Sequence, residues 1–239
     1  MLLQSALQMI YPAQCLLCDA LVEETNGLCA TCWRDTPFVT GLACDTCGAS
    51  LPGHSDGVVQ CDDCMRLARP WQRGRAAVSY RDKGRHLVLA LKHGDRQDLA
   101  RPAAEWMEQA GKDLLQDDPL LVPIPLHWTR LVKRRFNQAG VLAQLVAKRA
   151  GVQVATQALV RKRRTSVQDG KGVPQRFSNL ENALCAHPSH ARALVGRRVV
   201  LVDDVMTSGA TLAAGTEVCL SAGATSVSVL VLARVGKDD

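Results

Sequence analysis

Apolar positions fall along this chain in two rhythms. Short runs rich in β-branched residues predict strands at 76–80, 120–124, 154–159, 199–202 and 226–233. Runs spaced at three and four residues predict helices at 86–92, 99–115 and 138–150. In the last of these, Val141, Leu142, Leu145 and Val146 share a face and Asn137 stands where an N-cap belongs. Gly94 is expected to close the first helix, and Pro102 fits only the first turn of the second. Pro123 disfavours a central, fully hydrogen-bonded place for the strand at 120–124. The run Val199-Val200-Leu201-Val202 has no polar alternation and reads as a strand buried on both faces. Strands alternating with helices imply an α/β domain with a mainly parallel sheet.

Two carboxylates, Asp203 and Asp204, follow that buried run, and Thr207-Ser208-Gly209-Ala210-Thr211 leads from it into a further helical segment. Ligands of open α/β sheets bind outside the carboxyl ends of the strands, so a site belongs here. Small hydroxyl residues and glycine before a helix wrap a phosphate with amides and hydroxyls, and the helix dipole adds positive potential. The Asp pair would repel a phosphate in contact, which leaves a neutral diol or Mg²⁺ as its partner. A phosphate beside a diol is a ribose 5-phosphate. The bland alternative is a strand-to-helix turn whose aspartates cap the helix. Neither a Walker-type loop nor a dinucleotide glycine fingerprint occurs.

The first 64 residues show little aliphatic run but hold eight of the ten cysteines. These form four C-x-x-C pairs: Cys15/Cys18, Cys29/Cys32, Cys44/Cys47 and Cys61/Cys64. Two such knuckles supply one tetrahedral Zn²⁺, so the spacing predicts two structural zinc ions. Sequential pairing gives two ribbons, Cys15/Cys18/Cys29/Cys32 and Cys44/Cys47/Cys61/Cys64, while crossed pairing is also geometrically possible. Gly27 and Gly48 stand near knuckles and are expected to supply positive φ. A disulfide framework needs an oxidising compartment, yet residues 1–10 lack the basic region of a signal peptide. Thiol redox chemistry uses one C-x-x-C on a βαβ unit rather than four in tandem. Cys219 reads as a small buried hydrophobe in the last helix.

A chain of 239 residues suits a metal-stapled unit at 1–68 followed by one ordinary domain at 69–239. No segment approaches the length of a membrane-spanning helix, so a cytoplasmic protein is expected. The net charge of +6 hides an asymmetry. Residues 1–68 carry eight carboxylates against Arg34 and Arg66, whereas residues 127–176 carry twelve Lys or Arg against Asp169 alone. A polyanion would therefore bind the middle of the chain and not the zinc knuckles. Within that stretch Arg130, Lys133 and Arg134 follow a strand end, where cations neutralise a second phosphate group; a solvated basic loop is the plain alternative. Residues 161–176 read as a polar loop able to close over an anion, or as a simple insertion.

The segment from Val199 to Thr211 closely resembles the 5-phosphoribosyl 1-pyrophosphate (PRPP) loop of type I phosphoribosyltransferases. That resemblance implies that Asp203 and Asp204, the catalytic pair, hold the ribose hydroxyls and that Thr207, Ser208, Gly209, Ala210 and Thr211 hold the 5-phosphate. Nearly the whole chain resembles the ComF/GntX family. The match runs through the cysteine knuckles, Tyr80, Leu91-Lys92-His93-Gly94-Asp95 and Val122-Pro123-Ile124-Pro125-Leu126. It continues through Arg130, Lys133, Arg134 and Phe136-Asn137-Gln138, then Arg161, Thr165, Gln168, Arg176 and Asn179. Two positions depart from the pattern: Arg135 stands where the family has Gly, and Leu184 where it has Phe. The resemblance implies a phosphoribosyltransferase-like cytosolic protein, with structural Zn²⁺ and Mg²⁺·PRPP, associated with DNA uptake in natural transformation. Single-stranded DNA and competence or recombination proteins are its implied partners. Relatives of the GntX type imply use of DNA as nutrient, or gluconate utilisation. Any chemistry would be pentosyl transfer to an acceptor; a non-catalytic DNA-binding or scaffold role is the competing expectation.

Overall fold

The computed structural model describes residues 12–92, 96–162 and 183–236, with only the backbone described at Arg130, Lys133 and Arg134. In chain order the elements are α1 (Ala30–Asp35), α2 (Asp62–Arg66), β1 (Gly74–Ser79), α3 (Asp82–Lys92), α4 (Ala100–Ala110), β2 (Leu120–Pro123) and α5 (Trp128–Arg134). They continue with α6 (Gln138–Ala150), β3 (Gln153–Val154), β4 (Leu159–Arg161), β5 (Leu184–Ala186), β6 (Arg198–Met206), α7 (Ala210–Ser221) and β7 (Ser226–Arg234).

The main sheet is parallel throughout, in the order β1-β7-β6-β2-β3. Its central strand is the one read as buried on both faces: Val199, Val200, Leu201 and Val202 are each at most 2% exposed. Alternation sends Val200 and Val202 into a core with Leu87, Leu91, Met107, Leu142 and Val146, from α3, α4 and α6. Val199 and Leu201 point the other way, toward Leu212 and Cys219 of α7 and toward Trp71, Cys44 and Cys47. The first knuckle region contributes Leu16 to the former core, and the second knuckle belongs to the latter.

The cysteine-rich segment also closes the sheet's β1 edge. Ser79 N donates to Pro37 O at 2.8 Å and Val39 N to Ala77 O at 2.9 Å, so residues 37–39 cover groups that a bare edge strand would offer to another chain. On the other side of the second knuckle Asp45 receives both Arg73 and Arg75, which also reach Asp113. Burial opposes ionisation of Asp45, but the hydrogen bonds from Arg73 and Arg75 outweigh it and hold its carboxyl below the usual range.

Four expectations change. The strand expected at 154–159 is two pieces: β3 edges the main sheet, while β4 pairs antiparallel with β5 in a separate ribbon. Pro123 sits in an internal strand. Ile124 N donates to Val202 O, so the neighbouring Pro123 faces the β3 side, where β3 has already ended at Val154, and its missing N–H leaves no gap in the ladder. The helix expected at 99–115 ends its regular part at Ala110, and turns follow. Asn137 is the N-cap residue of α6, yet its side chain makes no capping bond; Nδ2 donates to Ile124 O at 3.1 Å and ties the helix to the end of β2. Gly94 and residues 163–182, with Thr165, Gln168, Arg176 and Asn179, lie outside the described residues.

Candidate functional site

β2 stops pairing with β6 at Val202, and β6 continues, paired to β7 alone, through Met206. Asp203 and Asp204 therefore stand just past the carboxyl end of β2. Asp203 Oδ1 accepts from Asp204 N at 2.8 Å, which turns that carboxyl back over the strand. Burial, then the charge of Asp204, pushes the Asp203 carboxyl up to about 8, against the opposing pull of Lys92 and Arg161. Lys92, the last residue of α3, places Nζ 3.3 Å from Asp204 Oδ2. Arg161 Nε donates to Pro125 O at 3.1 Å, so its guanidinium is anchored beside the end of β2.

The loop that follows is held from behind. Arg234 Nη1 donates to Thr207 O at 2.8 Å and Arg69 Nη1 donates to Ser208 O at 2.6 Å. In a trans peptide the C=O and the next N–H point in opposite directions, so the amides of Ser208 and Gly209 face away from the two arginines. Gly209 is left-handed at φ +80, and a Cβ there would lie 2.9 Å from the Trp71 ring. Gly209 is also the N-cap of α7, so neither aspartate holds the cap position, and Ser208 Oγ accepts from Ala210 N at 3.4 Å. The first turn of a 12-residue helix thus opens on this loop with amides that lack intrahelical partners.

After β2, His127 caps α5, its Nδ1 accepting from Thr129 N at 3.4 Å, in line with the basic stretch. The side chains of Arg130, Lys133 and Arg134 lie outside the description. Arg135 takes the left-handed φ of 65 that a glycine adopts freely. Arg135 thus holds a backbone that suits a glycine, the residue of the family pattern, at a cost of about 1 kcal/mol for the Cβ. The second departure is absorbed by packing: Leu184 is 5% exposed in β5 and joins the core under α7.

The eight cysteines gather as Cys15, Cys18, Cys29 and Cys32 and as Cys44, Cys47, Cys61 and Cys64, all sulfurs of a set within 4.8 Å of one another. The pairing is sequential. Zn–S bonds of about 2.3 Å in a tetrahedron require sulfurs about 3.8 Å apart. Cys18 and Cys29 are 3.6 Å apart and Cys47 and Cys61 3.7 Å, so both sets fit structural zinc. In the second set, hydrogen bonds from Cys47 and Cys64 pull Cys44 far below the usual thiol range, and Cys44 in turn pushes Cys64 far above it. A bound dication is what lets all four ionise together. Gly48 supplies the expected positive φ at +70, whereas at the first site Asp19 and Asn26 are left-handed and Gly27 is not. Cys219 is fully buried, and burial pushes its thiol up to about 12.

Sheet order, carboxylate pair, phosphate-type loop and paired Cys₄ sites together define a phosphoribosyltransferase-like protein with an N-terminal double zinc ribbon. Residues 6–65 match the double zinc ribbon domain family and residues 137–239 the phosphoribosyl transferase domain family. The DNA utilization protein YhgH of Escherichia coli (strain K12) is 31% identical over 230 residues, spanning 93% of this chain and 97% of the relative. Competence protein F of Haemophilus influenzae is 27% identical over 230 residues, spanning 92% of this chain and 96% of the relative. A hypoxanthine phosphoribosyltransferase from Staphylococcus aureus superposes with a TM-score of 0.37 at 14% identity, over 56% of this chain and 64% of that one. The chain belongs to the ComF/GntX family, which holds these DNA-utilization and competence relatives.

Three neighbours of the loop carried no signal in the sequence: Trp71, Arg69 and Arg234. Arg69 lies 139 positions from the carbonyl it holds, and Arg234 extends a strand expected to end at Ala233. Lys92 stood inside a family motif, and only the fold brings it to Asp204.

Proposed function

We propose that this chain binds PRPP with Mg²⁺ at the carboxyl end of β6 and serves the handling of incoming DNA in the cytosol. The observation that supports it best is the conjunction just past β2: two carboxylates, a lysine 3.3 Å from one of them, and a loop whose carbonyls are held from behind. Asp203 and Asp204 accept from the ribose hydroxyls, and the amides and hydroxyls of Thr207 to Thr211 receive the 5-phosphate. Lys92 offers positive charge to the pyrophosphate, and Arg130, Lys133 and Arg134 are given the same role on the family resemblance alone. Mg²⁺, when bound, screens the pyrophosphate and assists its departure as a leaving group. As positive charge develops at C1 of the ribose, the ionised Asp pair stabilises it, so any turnover is phosphoribosyl transfer to a nucleophile. Residues 1–68 form the zinc unit that braces the sheet edge, and residues 69–239 form the binding domain. The names of the relatives, DNA utilization protein and competence protein F, support the link to DNA. No helix among the described residues is long and apolar enough to cross a membrane.

Isothermal titration with PRPP and Mg²⁺ tests this reading. Saturable binding is expected, weakened at least about tenfold in Asp204→Ala through loss of a charged hydrogen-bond acceptor. Zinc content should be unchanged. Affinity should rise from pH 6.5 to pH 8.5, because the ligand favours the ionised form of an Asp203 that holds its proton up to about pH 8. Absence of saturable binding in the zinc-loaded wild type would reject the reading.

A second reading, single-stranded DNA binding without turnover, is favoured by α5. Trp128 is 66% exposed there, in a helix whose sequence is rich in cations. Stacking of one base on an aromatic side chain contributes about 1–3 kcal/mol. Trp128→Ala should then weaken oligonucleotide retention and leave PRPP binding intact; unchanged retention would argue against it.

A further inference from the structure

A groove of about 330 Å³ runs between β5 and α7. Leu184, Cys185 and Ala186 form one wall; Glu217, Val218, Ser221 and Ala222 form the other. Successive side chains of a strand point to opposite faces, so three consecutive residues line one groove only along the strand's edge. On the helix side the spacing of i, i+1, i+4 and i+5 is a single face.

The ladder shows what that edge offers. Lys162 N donates to Ala183 O at 2.9 Å and His187 N to Ala158 O at 2.8 Å, on either side of the Val160–Cys185 pair. Antiparallel pairs alternate between those that exchange hydrogen bonds and those that do not. The bonded pairs here are 158/187, 160/185 and 162/183, so Leu184 and Ala186 turn their N–H and C=O groups away from β4. Among the described residues no hydrogen bond reaches these groups. An open edge of this kind is a template for a further strand. The groove's volume lies at the low end for small-ligand cavities, whereas donors and acceptors repeating along an edge match a polypeptide backbone.

Charge selects the kind of strand. Glu217 is exposed on the helix wall and, among the described residues, forms no ion pair. No cation lines the groove beside it. A carboxylate there repels the phosphates of a nucleic acid. A second copy, docked about a twofold axis, would lay groove on groove and bring two Glu217 carboxylates into one interface with nothing to offset them. A Lys or Arg on an incoming chain of another protein completes the site instead.

We propose that the groove between β5 and α7 docks an extended basic segment of a partner protein as a strand added to β5. The segment pairs with Leu184 and Ala186, alternates apolar and basic residues, and sets a cation against Glu217. The proposal is independent of the PRPP reading. β4 of the same ribbon carries Arg161, anchored on Pro125 O beside the end of β2, so the docked strand extends the element that borders the rim.

The test uses the zinc-loaded full chain and a short fluorescein-labelled peptide of alternating Val and Lys. Saturable anisotropy is expected, with slowed amide exchange at Leu184 and Ala186. The N-methylated peptide, which cannot donate to a strand edge, should not bind. Glu217→Lys should weaken binding of the Val/Lys peptide about fivefold and favour a Val/Glu peptide instead. Ala186→Pro removes an outward donor while sparing the bonds to β4, so it should keep the far-ultraviolet circular dichroism and weaken binding about fivefold. No saturable binding, or equal binding of the Val/Glu or N-methylated peptide, would overturn the proposal. Binding without protection at Leu184 and Ala186 would place the peptide elsewhere, such as on the acidic zinc unit, and would overturn it too. Slow exchange at both amides in the peptide-free chain is equally contrary: in a monomer it means an edge paired within the chain, and in a dimer by light scattering, a second copy.

Discussion

Asp203→Asn should make the protein more stable at pH 8 and abolish its binding of PRPP. The Asp203 carboxyl keeps its proton up to about pH 8 in the folded chain, first because of burial and second because of the charge of Asp204. In the unfolded chain it ionises near pH 3.9. Between these values the folded state binds the extra proton, so the carboxyl's contribution is fully present below pH 4 and is lost as pH rises toward 8. An amide of the same shape removes that dependence. The gain at pH 8 is on the order of 3 kcal/mol after relaxation of the neighbours, less than the full shift would give. Urea melts at pH 5 and pH 8 check it: wild type should lose stability between them by that margin and the variant should not. The same variant presents an amide where ribose hydroxyls need an ionised acceptor, so titration should show no saturable heat. A wild type equally stable at both pH values would remove the physical basis of the argument.

Cys44→Ser should leave no folded protein. Cys44 and Cys47 are fully buried, and they lie in the same apolar core as Trp71, Ala76, Leu201 and Leu212. The second metal site is therefore part of the main core, unlike a tethered ornament. Structural zinc contributes about 10–16 kcal/mol to small metal-stapled units, comparable with the whole stability of a domain at about 5–15 kcal/mol. Loss of a ligand there removes the metal and leaves thiols in an apolar core. Cys18 is exposed at the first site, so Cys18→Ser should lose one zinc ion and keep near-ultraviolet ellipticity from the tryptophans packed in the rest of the fold. Metal analysis with circular dichroism distinguishes the two outcomes; a folded Cys44→Ser chain with one zinc ion would contradict the role given to this site.

Much of this arrangement was legible in residue order. Val199 to Val202 announced a central strand because a strand buried on both faces cannot alternate. The C-x-x-C pairs announced two metal sites because thiolate spacing within a knuckle is local. The bounds of α6 coincided with the amphipathic run because its signal, too, is local. What sequence did not disclose depends on distant partners. The break between β3 and β4 follows from β3 edging the main sheet while β4 pairs with β5, which begins only at Leu184, and no periodicity encodes that choice. Gly27 and Asn26 illustrate a finer limit: both tolerate turns, and only the knuckle's hydrogen bonds decide which becomes left-handed. Asn137 was placed at the right position for a cap, but a nearer carbonyl at Ile124 took its side chain. Arg69, Trp71 and Arg234 gave no motif at all, although they connect the metal core to the loop.

The central claim is that the rim of β6 is a cradle for a phosphorylated ribose. A crystal of the zinc-loaded chain soaked with PRPP and Mg²⁺ tests it most directly. The account predicts the 5-phosphate against the amides of Ser208 to Thr211 and the ribose hydroxyls on Asp203 and Asp204. Density for the ligand elsewhere, or a soaked crystal with the loop amides turned inward and no ligand at the Asp pair, would contradict it.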